Sequence, residues 1–179
     1  EELYVGWKPP GSKKELALSK AGRPSGGSSP SGQLLVAEDE ARIYRNFIQG
    51  AGSRAIGVGY PGGLNLAYDA NNMRIAMVWL EDFIDAKRHW NGRGQGYQPP
   101  AGQSLIKNAA GVPFGVLAKT DAAWPQTFLR KDNQQLPPLA GGYFFKGYSL
   151  SGEERIPTFR YTFGDLAIED SPVPKGSSE

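Results

Sequence analysis

The residues able to do chemistry crowd into one stretch: Asp69, Asn71, Asn72, Arg74, Glu81, Asp82, Asp85, Lys87, Arg88, His89 and Arg93, with Trp79 and Trp90 among them. Asp82 and Asp85 form a carboxylate pair of the type that glycosidases use as acid and base, the separation of the two groups deciding the stereochemical route. The plainer reading is an acidic pair at a strand turn, solvated or paired with a nearby Arg. His89 is the single histidine, so an imidazole base or a Ser-His-Asp system has to use it. No serine sits in a G-x-S-x-G elbow, which removes the triad. As a ligand of non-covalent haem, His89 would work opposite Met73 or Met77. Methionines in an apolar strand are more commonly core filler.

Asp69-Ala70-Asn71-Asn72 offers oxygen ligands but lacks the later bidentate Glu of an EF-hand loop. Gly92-Arg93-Gly94-Gln95-Gly96 has glycines without the strand-to-helix setting of a dinucleotide loop, so nucleotide binding is discounted. Trp79, Trp90, Trp124 and Tyr97 could stack on sugar rings while Asp, Asn and Arg bond hydroxyls; the competing reading packs them in the core. For Trp79 core packing is expected, while Trp90 sits among charges beside the Gly-rich loop, where exposure is expected. The candidate ligand-binding set is therefore Asp82, Asp85, Arg88, His89, Trp90 and Arg93, with no catalytic residue, metal or cofactor assigned. Asp85 and Arg88 are expected to pair and anchor the loop, with Trp90 and Arg93 free for recognition.

Turn-rich strands must position these groups, because the 24 Gly and 14 Pro exceed what a helical bundle tolerates. Strand character runs through Arg42 to Ile48, Ala55 to Tyr60, Leu64 to Tyr68 and, after the turn residues Asp69 to Asn72, Met73 to Trp79. Met73, Ala76, Met77 and Leu80 also fit a helical face, but the preceding turn and the Glu81-Asp82 break favour a strand. Phe83-Ile84-Asp85 opens another short element. Tyr143 to Leu150, Thr158 to Phe163 and Leu166 to Asp170 predict a three-stranded meander. The fold class is all-β, an antiparallel β-sandwich, with a barrel as the second choice. An N-terminal arm (1–18) precedes a Gly/Ser/Pro-rich linker (19–32), the sandwich domain (33–172) and a loose tail (173–179).

At 179 residues with 39% hydrophobic content, one domain with a real core is expected. Twenty Lys plus Arg against 18 Asp plus Glu give a formal charge of +2, too small for the electrostatic footprint of a nucleic-acid binder. The absence of cysteine excludes disulfides, thiolate metal sites and covalent c-type haem attachment. No apolar run approaches the roughly 20 residues that cross a bilayer as a helix, and Glu1-Glu2-Leu3-Tyr4 does not open a signal peptide. The chain is expected to be cytoplasmic or a mature product with its targeting segment removed.

The run from Ala55 through Pro61-Gly62-Gly63 to Ala70, together with Phe83-Ile84-Asp85-Ala86, Arg88 to Gly94 and Arg155 to Tyr161, resembles a β-rich domain. That domain accompanies c-type cytochrome modules in large secreted bacterial proteins, notably of planctomycete-like bacteria, and the likeness spans about Arg42 to Asp170. The resemblance implies an exported, periplasmic or otherwise extracytoplasmic domain beside electron-transfer or sugar-oxidising machinery. It brings no catalytic residues. This chain lacks a C-x-x-C-H motif, so any haem is expected in a partner or elsewhere in a precursor. The expected function is a non-catalytic accessory subunit whose sandwich and N-terminal arm dock on a larger extracytoplasmic electron-transfer complex, one with a cytochrome or a membrane-bound subunit. The alternative is a carbohydrate-binding or carbohydrate-processing domain acting on a glycan.

Overall fold

The computed structural model describes residues 32–90, 96–108, 113, 117–123 and 142–175, the side chains of Arg88 and Trp90 excepted. The arm and nearly all of the linker lie outside them, as do Arg93 and Trp124. The strands are β1 (Gln33–Leu34), β2 (Arg42–Ile48), β3 (Gly52–Gly59), β4 (Leu64–Asp69), β5 (Arg74–Leu80), β6 (Ile84–Asp85), β7 (Gln103–Lys107), β8 (Tyr143–Ser151), β9 (Ile156–Phe163) and β10 (Leu166–Asp170). One helical turn, α1 (Lys87–Trp90), interrupts them between β6 and β7. No helix among the described residues is long and apolar enough to cross a membrane.

Every strand pair is antiparallel, and the strands form a five-stranded sheet in the order β2-β3-β4-β5-β7, a three-stranded sheet β10-β9-β8 and a two-stranded ribbon β1-β6. The sheets stay open, so the architecture is the sandwich rather than the barrel. The C-terminal meander and the strand from Arg74 to Leu80 stand where the residue patterns place them. Strand β7 and the helical turn α1 carry no such pattern and were not expected.

The sandwich core joins Ile56, Val58, Leu66 and Tyr68 of the larger sheet to Tyr143, Phe159 and Tyr161 of the smaller one. Tyr68 and Phe159 stack across the interface with ring centroids 3.9 Å apart and planes within 4°. The outer face of the smaller sheet is mixed, with Phe144 exposed among polar side chains. There Arg160 pairs with Glu169 at 2.6 Å and bonds the Ser149 hydroxyl at 2.6 Å.

A second core lies on the opposite face of the five-stranded sheet, where Ala55, Ala67, Ala76, Met77 and Trp79 pack against Leu34, Phe83, Ile84 and Ala86. A bulge in β5 helps to build it: Ala67 faces Met77 while Tyr68 faces Ile75, so the extra residue Ala76 joins Met77 on this face. The cover is the β1-β6 ribbon, and it comes close. A Cβ at Gly57 would lie 3.1 Å from the Cδ1 atoms of Ile48 and Ile84, and one at Gly59 would lie 2.5 Å from Val36 Cγ2 and 3.0 Å from Phe83 Cγ.

These glycines are vacancies that admit the ribbon. Gly59→Val is expected to lower the unfolding free energy by about 1 to 3 kcal/mol, the usual cost of overpacking, as read from urea denaturation. A change below about 0.5 kcal/mol, the scale of an open surface site, would mean that the ribbon does not press on β3.

Candidate functional site

The chemistry-rich stretch folds as a strap, residues 81–90, that carries β6 and α1 across the second core. Trp79 anchors its start. The ring is fully buried and stacks on Phe83 at 6.1 Å, and the indole N–H donates to the backbone carbonyls of Asp82 at 2.9 Å and Phe83 at 3.2 Å. Core packing is thus the role of Trp79. Asn65 holds the same corner from β4: its amide donates to the carbonyls of Gly63 at 3.2 Å and Glu81 at 3.1 Å. Its full burial marks a polar residue fixed by backbone bonds rather than by solvent.

The candidate ligand-binding residues separate on this strap. Asp82 is exposed, and its carboxylate accepts from the Gln33 side-chain amide at 2.8 Å. Asp85 is half-buried and accepts from the Lys87 backbone N–H at 2.9 Å, an Asx turn that starts α1. Asp85 is therefore bound into local backbone. Arg88, its expected ion-pair partner, has its side chain outside the described residues, as does Trp90, and all of Arg93 lies outside them.

His89 is a clasp. Its Nε2 is bonded to the Gly96 carbonyl at 2.8 Å, so Nε2 carries the proton and Nδ1 accepts from the Tyr44 hydroxyl. Burial pushes the Tyr44 phenol above its ordinary pKa range, against the opposing pull of a hydrogen bond with Asn46. Phe47 meets the imidazole edge-on at 6.3 Å and packs on Tyr97 at 5.6 Å. Just beyond, the Gln49 and Gln98 backbone N–H groups donate to the carbonyls of Gln98 and Phe47 at 2.8 and 2.9 Å, tying the far side of the Gly-rich loop to the edge of β2.

This geometry removes the haem reading. Both imidazole nitrogens are occupied. Met73 belongs to the sandwich core and Met77 to the second core, on opposite faces of the sheet, and both are buried to 1% exposure or less. The calcium reading of Asp69 to Asn72 fares no better. The Asp69 carboxylate accepts from the backbone N–H groups of Asn71 at 2.9 Å and Asn72 at 3.2 Å and from the Asn72 amide at 2.7 Å. Arg74 Nε stands 3.8 Å away. Desolvation pushes the Asp69 carboxyl above its ordinary value against the opposing pull of these donors. The group caps the β4–β5 turn, after which Met73 takes φ 49°, a left-handed conformation that a bulky side chain resists. Among the described residues no three His, Cys, Asp or Glu side chains stand close enough to hold a metal ion.

Sequence reasoning missed Tyr44 and Asn65. Tyr44 had a signal, since an aromatic with a hydroxyl inside a strand needs a partner when buried. Compared with protein-family models, curated proteins and solved structures, the chain matches none of them.

Tyr44→Phe leaves His89 Nδ1 without its donor and is expected to cost about 1 to 3 kcal/mol. Asp82→Ala, at an exposed site, is expected to stay within about 0.5 kcal/mol. Thermal melts of the two variants check both; equal losses would contradict the division between clasp and surface.

Proposed function

We propose that the chain is a non-catalytic interaction module, an accessory subunit beside extracytoplasmic electron-transfer machinery, which takes hold of its partner through the open edge of the five-stranded sheet. The observation that supports this reading is β7. All five of its residues are exposed, Leu105 and Ile106 at 42% each, and no described strand pairs with its outer edge. Natural sheets blunt such edges because unpaired N–H and C=O groups template pairing with another chain.

The other edge strands of the two larger sheets are guarded. At one end of β2 the Ala41 N–H donates to the Glu154 carbonyl at 2.8 Å, and the other end is bonded to Gln98. Strand β8 is bulged at Gly147 beside the exposed Lys146, and β10 ends in Glu169-Asp170. Strand β7 is bulged as well, with Ser104 at φ 53°, but it sets two apolar side chains in succession and has a single charge, Lys107, at its end. An extended segment of a partner protein, added as a sixth strand, would pair this edge and cover Leu105 and Ile106. The cytochrome-bearing character of that partner rests on the family resemblance of the body.

A carbohydrate-binding role is the second reading, favoured by Phe47, which is 38% exposed and packed against Tyr97 in an aromatic pair of the sort that stacks on sugar rings. Glycan-array binding lost in Phe47→Ala would support it.

Photo-crosslinking from position 105 in the native host tests the leading reading. The expected result is an adduct with a haem-bearing extracytoplasmic protein, weakened by Ile106→Lys at unchanged melting temperature. Equal adducts from the control position 144, whose Phe is 45% exposed on the other sheet, would contradict it.

A further inference from the structure

A half-open cleft of about 280 Å³ lies at the rim of the sandwich, where β2 and β3 meet β8. The chain shapes it with a bulge. Asn46 faces Ala55 while Ile48 faces Gly52, so β3 carries one residue more than β2 over this span, and Ser53 and Arg54 are turned out of the regular ladder. Arg45 and Arg54 stand over the opening, Phe47 and Phe145 line it with aromatic surface, and the buried Ile56 and Ala70 contribute apolar lining.

Among the described residues the charge of this cleft is uncompensated. Arg74, Arg155 and Arg160 each have a carboxylate, from Asp69 at 3.8 Å, Glu40 at 3.6 Å and Glu169 at 2.6 Å respectively. Arg45 and Arg54 have none among the described residues, and no acidic side chain lines the cleft. Asp69, beside Ala70 in sequence, is turned into its own backbone cap. The Arg45 guanidinium is set 5.8 Å above the Tyr148 ring, a cation–π contact that orients the side chain in advance of any ligand.

We infer that this cleft binds a small organic oxyanion, a carboxylate or phosphate carried on a single sugar or aromatic ring. Two planar guanidinium forks without a counter-charge match the oxygens of such a group, which they bond in bidentate fashion. The two phenyl walls supply the flat apolar surface that a ring requires. Pockets for drug-sized ligands run from roughly 300 to 1,000 Å³, so the volume here suits one ring with its charged group. The site is separate from the β7 edge and stands or falls independently of it.

Isothermal titration of the full chain at low ionic strength, with sodium glucuronate, sodium benzoate, glucose 6-phosphate, inorganic phosphate and glucose as probes, tests the inference. At least one ring-bearing anion is expected to bind, glucose is not, and the affinity is expected to fall about 10-fold or more in Arg45→Gln and in Arg54→Gln, the scale of hydrogen bonds to a charged group. Both arginines are exposed, so the variants are expected to melt with the native protein. Arg54→Lys restores charge without the fork and is expected to recover only part of the affinity. Preference for glucuronate or glucose 6-phosphate assigns the ligand to acidic sugars, and preference for benzoate to aromatic acids. Binding of inorganic phosphate as tight as either, absence of binding by every probe, or unchanged affinity in both glutamine variants overturns the inference.

Discussion

The structure depends on burying one antiparallel sheet on both of its faces. Antiparallel sheets commonly leave one face to water, yet the last five residues of both β3 and β4 are buried without alternation. The β8-β9-β10 sheet covers one face through large aromatic side chains. The other face has to be covered by what remains, and the chain does this with a two-stranded ribbon and one helical turn. Such a thin cover packs only if the sheet beneath it is nearly flat, which is why that face of β3 and β4 is built from Ala55, Gly57, Gly59, Asn65 and Ala67.

The cover packs through Leu34, Phe83, Ile84 and Ala86, and directed hydrogen bonds fix its position: the Trp79 indole to the carbonyls of Asp82 and Phe83, the Asn65 amide to Glu81, and the His89 clasp between Tyr44 and Gly96. This explains why the polar stretch of the sequence looks like a catalytic constellation. Several groups that suggest acid, base or ligand chemistry are spent on backbone, Asp85 and Asp69 among them. The surfaces proposed for recognition, the β7 edge and the arginine cleft at the sandwich rim, are ones the strap does not occupy.

Much of the architecture was legible in the sequence. Strand β2 coincides with the run Arg42 to Ile48, and the meander β8-β9-β10 follows from aromatic and β-branched segments separated by Gly-containing turns. The double burial was not legible. Leu64-Asn65-Leu66-Ala67-Tyr68 reads as a strand with one wet face because Asn and Ala on the second face carry no hydrophobic signal. Only the ribbon, distant in sequence, gives that face its meaning. Likewise the arginine cleft depends on a bulge that sets Arg54 of one strand beside Arg45 of its neighbour, and no local pattern announces that register. His89 and Trp79 were visible as residues of interest, but their roles depend on Tyr44, 45 positions before the histidine, and on carbonyl groups that have no residue identity.

The central claim is that the strap is a structural cover of the five-stranded sheet. Equilibrium urea unfolding of Phe83→Ala, followed in parallel by tryptophan fluorescence and far-ultraviolet circular dichroism, tests it most directly. A cover integral to the fold predicts coincident transitions shifted to a stability lower by about 3 to 5 kcal/mol, the cost of deleting a buried Phe side chain. Two separated transitions, with the strap released before the sheets, or a loss below about 0.5 kcal/mol, would contradict it.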